Sequence, residues 1–236
     1  LFEGLSPWVN KLPGRLLHVV TLACTLFAAV SGSSAATCAT IGQICLPELD
    51  KRNYSRRMSL GLLPSAGTLG FLIPPSLIML IYGLNANVSI GQLFIAGIIP
   101  GLILATFFIG YVVIACLIHP EYAPDDGVRY TMADRIKSLP KLLPITLLIM
   151  AVLGSIYTGV ATTTEAAAVG SIGALLNAAY TRNLSKENLK IALLGTVRTS
   201  CMIILIMIGA SYLSVAVGYL GLAASLTQLI KALGVS

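Results

Sequence analysis

Residues 142–180 form a run of 39 positions with one charged side chain, Glu165. As a single α-helix the run would be about 58 Å long, roughly twice the thickness of a bilayer's hydrocarbon core. It must therefore lie in a membrane and break on the way across. The polar, glycine-containing place to break is Thr158-Gly159 through Thr164. The whole chain is of this kind: 56% of its 236 residues are hydrophobic and 10% are charged, against roughly 25% charged in a soluble domain. A soluble globular fold is excluded as the leading reading. An all-α, multi-pass membrane protein is expected, because helices satisfy their own backbone groups where no water can. The excess of 15 Lys+Arg over 9 Asp+Glu sits in short loops between apolar runs. It marks membrane topology and the lipid bilayer, not nucleic acid, as the partner.

Residues 1–236 read as one integral membrane region, a segment of a longer protein. Residues 16–30 and 35–46 are apolar arms, each too short to cross comfortably, joined by Ser31-Gly32-Ser33-Ser34. Residues 16–46 thus predict a re-entrant helical hairpin, followed by a charged loop over 48–57. Residues 58–118 predict a helix broken at Pro64 and at Pro74-Pro75, an uncharged connector over 83–92, and a tilted crossing over 93–118. A polar cytoplasmic loop, partly an interfacial helix, is expected over 119–141. Residues 142–236 open a second half, with basic positions at Arg182, Lys186, Lys190 and Arg198, then a span over 199–230 interrupted at Gly218 and Gly221. With a hairpin over 16–46, all basic residues but Lys231 fall on one side of the membrane, as the positive-inside rule asks.

Three segments could carry chemistry. In Ser31-Gly32-Ser33-Ser34-Ala35-Ala36-Thr37, irregular backbone at membrane depth would survive only inside protein or beside a water-filled cavity. Its hydroxyls and carbonyls suit a small hard cation, and helix N-terminal amides suit an anion. Small residues that only let helices approach explain the same composition. In Gly67-Thr68-Leu69-Gly70-Phe71-Leu72-Ile73-Pro74-Pro75-Ser76, two prolines remove backbone donors, and a span broken near its middle points to a transporter's binding site. A simple packing kink is the rival reading. In Thr158-Gly159 through Glu165, an acid at membrane depth is a functional candidate, yet Thr164 could cap a helix whose first turn Glu165 suits. Glu165 is expected to hold that helix start rather than to bind substrate.

Other features point to packing. Gly97-Ile98-Ile99-Pro100-Gly101 fits a small-residue helix contact. Cys24, Cys38, Cys45, Cys116 and Cys201 lie in apolar stretches without a C-x-x-C pair, and His18 and His119 fall in different segments. These thiols are expected to be small buried hydrophobes, not metal ligands or disulfides. An intramembrane serine enzyme would need a base beside Ser33 or Ser34, and His18 lies about four helical turns away. No enzyme activity and no cofactor are expected.

The four ordered motifs Ser31 to Thr37, Gly67 to Ser76, Phe94-Ile95-Ala96-Gly97-Ile98-Ile99-Pro100-Gly101 and Thr164-Glu165-Ala166-Ala167-Ala168-Val169-Gly170 closely resemble the large membrane subunit (DctM-like) of tripartite ATP-independent periplasmic (TRAP) transporters. The resemblance implies a bacterial inner-membrane, elevator-type carrier that takes up organic anions, such as C4-dicarboxylates or sialic acid, with sodium as the coupling ion. It further implies a periplasmic substrate-binding protein and a small membrane subunit as partners. Carried onto this sequence, Ser31, Gly32, Ser33, Ser34 and Thr37 match a hairpin tip, and Gly67, Thr68, Gly70, Pro74, Pro75 and Ser76 its partner helix. Sodium is expected on the backbone of Ser31, Gly32, Ser33, Gly67 and Gly70, with Thr164 and Glu165 in a structural polar network. A second hairpin and broken helix are expected beyond Ser236, and the initial helices before Leu1, so the chain alone is expected not to transport. Thr163 stands where the family more usually has proline. Another ion-coupled organic-anion permease, or a scaffold or channel subunit, remains the alternative.

Overall fold

The computed structural model describes residues 2–124 and 130–221. Among the described residues every regular element is helical. The chain divides into two compact units, Leu1–Asn177 and Ala178–Ser236.

The first unit is built around α2, Leu16–Ser31. Six consecutive residues, Leu16 to Thr21, are buried, so this helix is covered on every side. Its cover comes from α1 (Phe2–Val9), α3 (Ser34–Lys51), α4 (Arg56–Gly67) and α6 (Ile90–Ile118). Leu5 and Val9, Ile41 and Cys45, Leu62 and Leu63, and Val112 and Cys116 join Leu17 and Val20 in one cluster. Lipid is as apolar as these side chains, so close packing, not escape from water, holds the cluster together. Three thiols, Cys24, Cys45 and Cys116, are buried there, whereas Cys201 is exposed on its helix. His18 is fully buried, its Nε2 2.6 Å from the Pro13 carbonyl.

Helix α2 turns back into α3 across Gly32 and Ser33 alone, and the two helices pack on each other. The chain therefore doubles back at Gly32 and Ser33, and the second arm runs past residue 46 to Lys51. It continues because Pro47 does not break it and because Glu48 pairs with Arg52 one turn later, at 2.9 Å. The charged loop expected over 48–57 shrinks to residues 52–55.

Helix α4 passes Pro64 without a break and tightens into a 3-10 turn, Thr68–Phe71. The interruption falls at the second expected place only. Residues 72–76, with a cis Pro74–Pro75 peptide, separate it from α5, Leu77–Ala86. The connector expected over 83–92 is three residues, 87–89, since α5 and α6 both extend into it. Helix α6 is 29 residues long, about 43 Å, which exceeds the hydrocarbon core and favours a tilted crossing. In the loop beyond it, His119 Nδ1 lies 2.9 Å from Glu121 Oε1. The backbone N–H of Glu121 and then this ring hold that carboxyl below its ordinary range.

The polar loop expected over 119–141 ends early. A capping box between Thr131 and Asp134 starts α7, Met132–Tyr157, as one helix that carries Arg135, Lys137 and Lys141 into the apolar run. Trp8 Nε1 donates to Ser138 Oγ at 3.2 Å and Arg135 Nε to the Pro7 carbonyl at 3.1 Å, fixing α1 to α7. The expected break follows at residues 158–162, with Gly159 at φ 72°, and α8 (Thr163–Tyr180) begins.

In the second unit Ser185 caps α9, Lys186–Tyr219, its Oγ accepting from Asn188 N–H at 3.0 Å. The helix thus includes Lys186, Lys190 and Arg198, expected in a loop, and Gly218 lies within it. The remainder of the expected span and Lys231 lie outside the described residues. Helices α6, α7 and α9 are each long and apolar enough to cross a membrane.

Candidate functional site

The tip of the α2–α3 hairpin rests on the interruption between α4 and α5. Each side of that contact is shaped by a residue without a side chain. Gly32 ends α2 in the left-handed region, φ 61°, its N–H returning to the Ala28 carbonyl at 2.9 Å. A Cβ there would stand 2.6 Å from the Pro75 carbonyl oxygen. The Gly32 carbonyl in turn accepts from Leu77 N–H at 3.0 Å, so the tip satisfies the first amide of α5. On the other side, a Cβ on Gly70 would stand 2.9 Å from Ser34 N, and one on Gly67 3.2 Å from Cys38 Cβ. Two interrupted main chains therefore approach closely where Gly32 meets Pro75 and Gly70 meets Ser34.

The hydroxyls of the tip form a small network. Ser33 Oγ accepts from Ala36 N–H at 3.3 Å, capping α3. Thr37, fully buried, donates to the Ser33 carbonyl at 2.8 Å and lies 2.9 Å from Ser31 Oγ. The Ser33 carbonyl also accepts Thr37 N–H at 2.9 Å. Across the contact, Thr68 Oγ1 donates to Ser65 O at 2.6 Å and the buried Ser76 to Phe71 O at 2.9 Å. Residues 16–47 carry no formal charge, so the contact offers dipoles only: carbonyl and hydroxyl oxygens, and the first-turn amides of α3. Among the described residues the N–H groups of Ser34 and Ala35 have no partner, the arrangement that suits an anion at a helix N-terminus.

The structure brings together Ser31 to Ser34, Thr37, Gly67, Gly70, Pro75 and, through its contact with Phe71, Ser76. Thr68 faces back to its own helix. Glu165 stands apart: its carboxylate accepts from Thr162 N–H and Thr162 Oγ1, both at 2.8 Å, while its own N–H donates to Thr162 Oγ1 at 3.3 Å. The cap of α8 is therefore Thr162, not Thr164, because a carboxylate reaches back over three residues and Thr162 is the one at that spacing. Thr164 is exposed. An apolar gap of about 340 Å³ lies between Val30 and Pro75 at the tip and Val152, Gly170 and Ala174 on α7 and α8.

One contributor goes beyond the packing role read from sequence. A Cβ on Gly97 would stand 2.6 Å from the Leu72 carbonyl and one on Gly101 3.0 Å from Ile73 Cγ1. The glycine pair lets α6 press directly on the interrupted backbone and so holds the floor of the site.

Residues 5–236 match the family described as tripartite ATP-independent periplasmic transporter, DctM component. The chain is 39% identical over 173 residues to the C4-dicarboxylate TRAP transporter large permease protein DctM of Pseudomonas aeruginosa, covering 73% of this chain and 40% of the relative. It is 37% identical over 179 residues to the ectoine TRAP transporter large permease protein TeaC of Halomonas elongata, covering 75% and 40%. It is 31% identical over 212 residues to the sialic acid TRAP transporter large permease protein SiaM of Vibrio cholerae, covering 89% and 49%. The chain spans half or less of the length of these relatives.

Proposed function

The chain belongs to the DctM component family of tripartite ATP-independent periplasmic transporters, and from that premise we propose that it supplies one half of the binding site of a sodium-coupled importer of organic acids. The observation that carries this reading is the Gly32 carbonyl accepting from Leu77 N–H, with Gly70 against Ser34. It seats a hairpin tip on a broken helix, the arrangement that places open backbone dipoles at membrane depth. The relatives above are named for a C4-dicarboxylate, ectoine and sialic acid. All three solutes bear a carboxylate and a further relative is named for isethionate, a sulfonate, so an acidic oxyanion, a carboxylate in these three, is the group this half-site would meet.

The Gly32 and Ser33 carbonyls already accept hydrogen bonds. A sodium ion would share them and draw its other oxygens from Ser31, Gly67 and Gly70. Hard cations take oxygen ligands of this kind. The carboxylate would face the free amides of Ser34 and Ala35, and the neighbouring cation would offset its desolvation. Because each charge makes the other's burial cheaper, binding of one raises affinity for the other, typically 5–150-fold for such couplings. Delivery by a periplasmic binding protein, a small membrane subunit and an inner-membrane location follow from the same premise.

The test is uptake by the intact permease, with its small subunit and binding protein, in proteoliposomes. Uptake is expected under an inward sodium gradient and not when potassium replaces sodium. Equal uptake in both salts would reject sodium coupling.

A further inference from the structure

A groove of about 840 Å³ runs between α4 and α6, away from the hairpin tip and unused by the reading above. One end is polar: Ser55, Arg57 and Tyr122 line it, and Ser55 N–H donates to the Tyr122 carbonyl at 3.1 Å, tying the two loops there. The other end, toward Ser65, is about 12 Å further along α4 and is faced by Leu62 and Phe107. Arg57 is exposed and has no hydrogen-bond or ion-pair partner among the described residues. It follows directly on Lys51, Arg52 and Arg56 in the basic segment between α3 and α4, on the side where the positive-inside rule collects the basic loops. Phe107 is 68% exposed within the apolar stretch of α6.

The groove thus pairs an unneutralised guanidinium at the membrane boundary with an apolar channel running into the bilayer. A second protein helix laid here would bury Arg57 beside apolar side chains, which is costly unless it brought a carboxylate. A water-soluble anion would leave the channel empty. A phospholipid satisfies both ends, because guanidinium grips phosphate in a two-point geometry and basic pockets between membrane helices favour anionic headgroups. We propose that this groove seats one anionic glycerophospholipid of the adjoining leaflet. Its phosphate lies on Arg57, and an acyl chain passes Gly61 and Phe107. Gly61 matters because a Cβ there meets nothing within 4 Å: the glycine keeps the channel open and no packing demand explains it.

The purified intact permease, carried into native mass spectrometry with phosphatidylglycerol, phosphatidylcholine or inorganic phosphate, tests this. A one-to-one phosphatidylglycerol adduct is expected, at least fivefold more abundant than the phosphatidylcholine adduct. Arg57→Gln should reduce it at least fivefold, while Arg57→Lys, which keeps the charge but not the two-point grip, should lose less than Arg57→Gln. Gly61→Phe fills open space in a helix and should leave the melting temperature unchanged, yet also cost the adduct at least fivefold. Retention unaffected by both Arg57→Gln and Gly61→Phe would overturn the proposal, as would equal retention of the two lipids. Displacement of the lipid by inorganic phosphate, or a protein subunit filling the groove in the purified complex, would overturn it too.

Discussion

Gly32→Ala in the intact permease is expected to lower the initial rate of uptake at least tenfold while membrane levels of the protein stay within about twofold. Two costs fall on one methyl group. The left-handed conformation, φ 61°, costs a residue with a side chain about 1–2 kcal/mol. The added Cβ would also stand 2.6 Å from the Pro75 carbonyl, a backbone atom that cannot swing aside. The tip must lift from the interruption, and the Leu77 to Gly32 hydrogen bond goes with it. Gly110→Ala is the control, since a Cβ there meets nothing within 4 Å; helix propensity alone favours it by about 1 kcal/mol. Uptake by the Gly110 variant should be unchanged. Wild-type uptake by Gly32→Ala would show that the tip and the break need not touch.

Thr37→Val should act on the cation rather than on the fold. The substitution keeps the shape but deletes the hydroxyl that donates to the Ser33 carbonyl and meets Ser31 Oγ. A lost neutral hydrogen bond is worth about 0.5–1.5 kcal/mol, and a partner left unsatisfied adds to that. The sodium concentration giving half-maximal uptake is therefore expected to rise about tenfold, with Thr37→Ser close to wild type. Titrating sodium against initial uptake rate measures this directly. An unchanged sodium dependence in Thr37→Val would remove the hydroxyl network from the coupling site.

The hairpin and the main interruption were legible because both are written in local chemistry: a cluster of small polar residues between two short apolar arms, and two adjacent prolines after a pair of glycines. Helix ends were less legible. Charges and one single proline, Pro64, mark boundaries in the sequence, yet Glu48, Lys51, Arg135, Lys190 and Pro64 all lie within helices, where Pro47, Pro100, Pro140 and Pro144 are also accommodated. The reason is physical: hydropathy marks where the bilayer ends, whereas the hydrogen-bond ladder continues into polar surroundings wherever a cap or an i,i+4 pair supports it. The cap of α8 carried a readable signal, since Thr162-Thr163-Thr164-Glu165 has the capping-box spacing. Gly97's role was not readable in this way. Its partner is the carbonyl of Leu72, 25 residues earlier, and such a contact exists only once the chain has folded back on itself.

The pairing of a cation with a carboxylate at the seam between Ser31 to Ser34 and Gly67 to Gly70 is tested most directly by a cryo-electron microscopy map of the intact permease in saturating sodium with its substrate. Density for an ion touching carbonyl oxygens from both sides of that seam is expected, with the substrate's carboxylate beside the amides of Ser34 and Ala35. A tip standing clear of the broken helix, or an ion and substrate bound elsewhere in the molecule, would contradict it.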